Sequence, residues 1–195
     1  MTFFLARIIS WIASIPVLIL PGSFLLVNRV VQNGIRALKW TIFSYVFVGA
    51  VVLFILAGVL LGLFSDIDVS RKEQRPLLFL FSAIIIIFYG LSLYVLHGPK
   101  ILAVAALGFL FATIVIGIAS RWIKASIHVA TVSALVILVG IIYGRFYFLA
   151  SLIFIPLIIW SRIKLKKHTA AETIAGGLLG SMLTIIFYVF AKFLL

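Results

Sequence analysis

TIFSYVFVGAVVLFILAGVLLGLFS, residues 41–65, carries no charged side chain from end to end. Wound as a helix at 1.5 Å per residue, it reaches about 37 Å, more than the roughly 30 Å of hydrocarbon in a bilayer. Gly58 and Gly62, four residues apart, are spaced for close helix contact. The same kind of run recurs on both sides. Downstream come Leu77 to Leu96, Ile101 to Ala119, the shorter pair Val129 to Tyr143 and Phe146 to Trp160, and finally Thr173 to Leu195. Upstream, residues 3 to 27 are apolar but punctuated by Pro16, Pro21 and Gly22, which predicts a kinked, broken or re-entrant first helix.

The composition agrees. Of 195 residues, 66% are hydrophobic and only 10% charged, and the mean hydropathy of +1.39 lies far above that of a soluble domain. Alternating barrel strands of about ten residues are not seen, so a helical bundle is the one spanning architecture left. The expectation is an all-α, polytopic transmembrane bundle of about six to seven helices, forming a single integral membrane domain over residues 1–195. The absence of cysteine excludes disulfides, thiolate catalysis and cysteine-ligated metals. Four acids in all, Asp66, Asp68, Glu73 and Glu172, argue against enzymes that hold metals with several aspartates. The net charge of +12 sits in short loops, which points to anionic lipid headgroups or phosphorylated substrates and away from nucleic acid.

The connecting segments carry the chemistry. Asn28 to Trp40 holds Arg29, Arg36, Lys39 and Trp40, an interfacial mixture. Asp66 to Pro76 breaks the apolar pattern sharply and reads, by itself, as a solvated loop with internal charge pairs. His97-Gly98-Pro99-Lys100 is a turn on the opposite side, with His97 interfacial. Ser126 and His128 open another apolar run, where a histidine is ordinarily interfacial or a hydrogen-bonded cap. Gly144-Arg145 reads as a hairpin turn and Pro156 as a kink in the helix that follows. Last, Ser161 to Glu172 interrupts two apolar runs with two hydroxyls, four cations, an imidazole and a carboxylate. His168 and Glu172, four apart, share a helical face, so the carboxylate can accept the ring N–H and orient a nucleophile or base. Arg162 offers a planar fork of donors suited to phosphate. The same residues admit plainer roles: Thr169-x-x-Glu172 is a capping box, and Ser161 to Lys167 could anchor headgroups.

Ser161-Arg162, five residues, His168, three residues, Glu172, then Gly176 resembles the third signature of the type 2 phosphatidic acid phosphatase superfamily, with Glu172 where the usual residue is Asp. Ala125-Ser126-Ile127-His128 resembles the second signature, Pro-Ser-Gly-His, with Ser126 and His128 retained. Arg75-Pro76 resembles the end of the first, Lys-x6-Arg-Pro. The place of that Lys is taken by Asp68, so Arg71 or Lys72 would have to supply the cation. The resemblance covers roughly residues 66 to 180, in the family's order. Two helices are expected between each signature and the next, which would open all three on one membrane face, although relatives commonly have six helices and no span between the first two signatures.

The resemblance implies a membrane-embedded lipid phosphatase working through a phosphohistidine. His168 would be the nucleophile, Glu172 its orienting carboxylate, and His128 the acid for the leaving oxygen. Arg75, Arg162 and Ser126, with Lys72 or Arg71, would bind the phosphoryl oxygens. No metal or other cofactor is required, and the substrate would be a prenyl or glycerophospholipid phosphate or diphosphate. Transfer to a lipid or sugar hydroxyl, or a non-catalytic lipid-binding or transport module, are the alternatives. The loop cations would make the site's face cytoplasmic by the positive-inside rule. Those that bind phosphate are poor markers, and the resemblance points instead to the extracytoplasmic face of a cell (inner) membrane.

Overall fold

A computed structural model describes residues 2–193. Its described residues form nine α-helices, one 3₁₀ turn (Lys72–Gln74) and no strand: α1 Thr2–Ile12, α2 Ile15–Val31, α3 Gly34–Leu60, α4 Arg75–Val95, α5 Lys100–Ala119, α6 Ile127–Tyr143, α7 Arg145–Ser151, α8 Phe154–Lys164 and α9 Ala170–Ala191. In hydrocarbon each backbone N–H must find its partner within the chain, and a helix satisfies that locally. Five stretches are long and apolar enough to cross a membrane: α3, α4 with its 3₁₀ turn, α5, α7 with α8, and α9. The α1–α2 pair makes a sixth when counted as one broken span. α6, with 17 residues, is the short one, about 25 Å long. Large apolar side chains such as Leu60, Tyr94 and Leu53 face outward, which suits lipid as the solvent. The protein is an integral membrane protein with the expected all-α architecture. The expected last helix reached Leu195, but Leu194 and Leu195 lie outside the described residues.

Two breaks follow from proline. The proline ring clashes with the carbonyl four residues back and removes a donor. α1 accordingly stops at Ile12, four before Pro16, and α7 gives way at Leu152, four before Pro156. Each proline then sits in the first turn of the next helix, where no N–H is needed. Pro21, by contrast, is accommodated inside α2.

The described residues divide into two compact units, residues 2–18 with 122–193 and residues 19–121. In the first, α6 and α9 pack closest, because α9 presents glycine where α6 presents backbone. A Cβ at Gly176 would stand 2.5 Å from the Ser126 carbonyl oxygen, and one at Gly180 would come closer still to that of Ala130. Gly176 and Gly180 thus give the smooth face their spacing predicts. Around the seam, Val129, Val132, Val136, Ile158 and Ala13 form the buried apolar core. The chain turns from α6 to α7 at Gly144, whose φ of +90° only glycine adopts without strain. Gly180→Leu should force the two helices apart and lower stability by about 1–3 kcal/mol, as overpacking does. Thermal unfolding in detergent reads this as a clear drop in Tm, against little change for the lipid-exposed Leu178→Ala.

In the second unit, Val27, Ala37, Leu93 and Leu102 form the core, and the Ser44 and Tyr89 hydroxyls meet at 2.7 Å between α3 and α4. The expectation for Gly58 and Gly62 is corrected here. Gly62 lies beyond the end of α3 at φ +75°. Gly58 makes room for the ring of Phe64, which folds back over it while its N–H bonds the Gly58 carbonyl at 3.0 Å. The glycines therefore close the end of α3 and do not seat another helix.

Candidate functional site

Within the first unit, α8 ends in a Schellman turn. The Lys167 N–H reaches the Arg162 carbonyl at 3.1 Å and the Lys166 N–H that of Ile163 at 2.9 Å, with Lys166 at φ +55°. This reversal places Arg162, in the last turn of α8, and His168, just ahead of α9, at the same end of the unit. Thr169 then caps α9: its Oγ1 accepts from the Glu172 N–H at 3.2 Å, and Glu172 Oε2 accepts from the Thr169 N–H at 3.3 Å. The same Oε2 lies 2.9 Å from His168 Nδ1. Capping and ring orientation, which the sequence offered as competing readings of Glu172, are carried together by one carboxylate oxygen. Because a carboxylate oxygen accepts, Nδ1 carries the proton, and the lone pair of a neutral ring falls on Nε2. The His168 side chain is 3% exposed and that of Glu172 24%, so the pair is shielded at the ring and open to water at the acid.

α6 enters the same region. The Ser126 N–H donates to the Glu172 carbonyl at 3.0 Å, a strap that Gly176 permits by letting the two backbones touch. Ser126 is fully buried, and its hydroxyl has no hydrogen-bond partner among the described residues. A buried hydroxyl in that state costs stability unless a ligand or water completes it. His128, half-buried, sits in the first turn of α6, at the end held to α9. With Ile127 in place of glycine, that turn begins as an ordinary helix start with Ser126 as its cap residue, extended at φ −78°.

Arg162 is 2% exposed. Its Nη1 donates to Ser10 Oγ of α1 at 2.6 Å, and the neighbouring Ser161 hydroxyl donates to the Ala6 carbonyl at 2.6 Å. Two polar bonds therefore dock α1 onto α8 and hold the guanidinium's rotamer. Neither Ser10 nor the Ala6 carbonyl could have been picked out from the sequence. The partners are more than 150 positions apart, and a serine in an apolar helix ordinarily bonds its own backbone.

Arg75, Arg71 and Lys72 belong to the second unit. Arg75 opens α4, is 2% exposed, and its Nε donates to the Val69 carbonyl at 3.3 Å. Val69 is held at φ +45°. Arg71 and Lys72 are exposed. The preceding loop is organised by its own hydrogen bonds. Asp66 Oδ1 accepts from the Asp68 N–H and the Ser70 hydroxyl, each at 2.9 Å, and the Gln74 side chain binds the Ser65 N–H at 3.0 Å. Asp68 thus takes part in a turn at the position where the family's first signature has Lys.

Compared with protein-family models, with curated proteins and with solved structures, the chain matches none.

Proposed function

We propose that the protein is a membrane lipid phosphatase whose nucleophile is His168. The observation that carries the reading is the shielded His168 ring with Nδ1 bonded to Glu172 Oε2 at 2.9 Å. His168 Nε2 attacks the terminal phosphorus as its bond to the leaving oxygen breaks, the lipid alcohol's oxygen in a monophosphate or the bridging oxygen in a diphosphate, and His128 delivers a proton to that oxygen. Water, losing a proton to His128, then attacks the phosphohistidine, releasing inorganic phosphate and returning the neutral imidazole. Glu172 stabilises the positive charge of the substituted ring. Arg162 and the Ser126 hydroxyl take the phosphoryl oxygens, where charge spreads in the transition state. Arg75, with Arg71 or Lys72, is assigned to phosphate on the resemblance to the first signature alone. A prenyl or glycerophospholipid phosphate or diphosphate would keep its tail in the bilayer while its phosphate enters the polar end of the helices. By the same resemblance we place that end on the extracytoplasmic side of the cell membrane.

The capping box favours a second reading, in which Glu172 serves the helix start and the cations only grip headgroups. The discriminating measurement is phosphate release by the full-length protein in detergent with a chelator present, against a panel of lipid monophosphates and diphosphates. Release from at least one of them supports the phosphatase. Folded protein that releases phosphate from none of the panel overturns the proposal.

A further inference from the structure

The second unit has a cavity at the end of α4 opposite Arg75. α4 is 21 residues long, so the two ends are about 30 Å apart. Here α2 stops at Val31, α3 starts at Gly34, α4 stops at Val95 and α5 starts at Lys100. Between them lies a space of about 420 Å³. Its walls are apolar, formed by Val31, Ile101 and the Trp40 ring. Its rim carries Arg36 from the first turn of α3, His97 from the turn after α4, and Lys100 from the start of α5. All three rim side chains are exposed.

Charge decides what such a cavity takes. Three of the chain's four acids, Asp66, Asp68 and Glu73, lie in the loop at the far end of α4, and the fourth, Glu172, is on α9 of the other unit. Among the described residues, no carboxylate of this unit stands near the rim to offset its cations. The first turn of α5 has no side-chain cap, so its N–H groups add to the positive field.

The turn after α4 sets the position of His97 on this rim. α4 closes in a Schellman turn, the Gly98 N–H reaching the Leu93 carbonyl at 2.8 Å and the His97 N–H that of Tyr94 at 3.2 Å. The left-handed position of that turn, φ +52°, is filled by His97, while the glycine comes one residue later. Glycine would adopt that φ without strain, and a histidine there is held against its preference. Gly98 is used differently: a Cβ there would stand 2.7 Å from the Leu93 side chain and 3.1 Å from the Trp40 ring, so the glycine lets both side chains pack against the turn beside the cavity that Trp40 lines. A tryptophan flanked by cations at a helix end marks the depth of the headgroups.

We propose that this cavity binds an anionic phospholipid of the surrounding leaflet. Its phosphate sits among Arg36, His97 and Lys100, and the start of an acyl chain lies along Val31 and Ile101. The site is separate from the histidine pair, and the inference stands whether or not the protein is a phosphatase. The test uses full-length protein in neutral detergent, titrated with phosphatidylglycerol or phosphatidylcholine and read by native mass spectrometry and thermal shift. We expect phosphatidylglycerol to bind at least tenfold tighter. Arg36→Gln with Lys100→Gln should remove that preference. His97→Gly, which relieves the left-handed strain, should weaken phosphatidylglycerol severalfold while Tm stays level or rises. Equal binding of the two lipids, or an unchanged preference in the double variant, would overturn the proposal. So would inorganic phosphate displacing the lipid at equal concentration, which marks a soluble-anion site, or a dimer that excludes lipid from the cavity.

Discussion

His168→Asn is expected to lower phosphate release from the preferred lipid phosphate by about a thousandfold or more, while leaving the protein folded. Asparagine keeps an N–H that can reach Glu172, so the first turn of α9 retains its partner, but it has no nitrogen lone pair to attack phosphorus. The ring it replaces is shielded and fixed by a 2.9 Å bond. On the proposed mechanism that fixing is where orientation would enter the rate, since a nucleophile held at one rotamer and one tautomer need not be ordered again at each turnover. The readout is single-turnover phosphate release beside a thermal unfolding curve. If the variant unfolds near the wild-type temperature and still releases phosphate within tenfold of the wild-type rate, the nucleophile is another residue. Acid-labile phosphate trapped on the wild-type chain and missing from the variant would add direct support.

The long helices were legible because membrane solvent leaves the sequence few choices. Leu77 to Leu96 became Arg75–Val95, Ile101 to Ala119 became Lys100–Ala119, and Thr173 to Leu195 became Ala170–Ala191 within the described residues. The expected run Phe146 to Trp160 is broken into α7 and α8 and ends at Lys164. The largest shift of a boundary was at α3, which starts seven residues before Thr41, at Gly34, and ends at Leu60 where the expected span ran to residue 65. Helical hydrogen bonding does not stop where hydrocarbon does, and the signal that starts this helix is polar. Asn33 accepts the Arg36 N–H at 2.9 Å, an ordinary N-cap. Charge made Arg36, Lys39 and Trp40 look like a connecting segment, although they are the first turns of a span. At the candidate site, the four-residue spacing gave the His168–Glu172 pair directly, since that contact is local. The Ser126 strap to the Glu172 carbonyl and the Ser10 bond to Arg162 were illegible because both depend on which helices pack together, and apolar helices of similar composition carry little information about their neighbours.

The other large effect separates the two duties of one oxygen. In Glu172→Gln the amide oxygen can still accept from the Thr169 N–H, since glutamine serves a capping box as glutamate does. The Thr169 hydroxyl keeps its bond to the backbone N–H of residue 172. What is lost is the negative charge beside a ring that, in the proposed phosphohistidine, would become cationic. The expected outcome is a Tm within a few degrees of wild type and a fall in phosphate release of about 10²- to 10⁴-fold, the range seen when a group assisting an imidazole loses its charge. Glu172→Ala should lose that activity too, and in addition about 1 kcal/mol of stability with the side-chain bond to the Thr169 N–H. Comparing the two in one experiment distinguishes the carboxylate's roles. Wild-type release by the glutamine variant, with reduced stability only in the alanine variant, would make Glu172 a cap and nothing more, and the 2.9 Å contact with His168 a by-product of starting α9. A charge-dependent rate on an unchanged fold would instead mean that the chain begins its last helix with an acid because the histidine ahead of it needs a counter-charge.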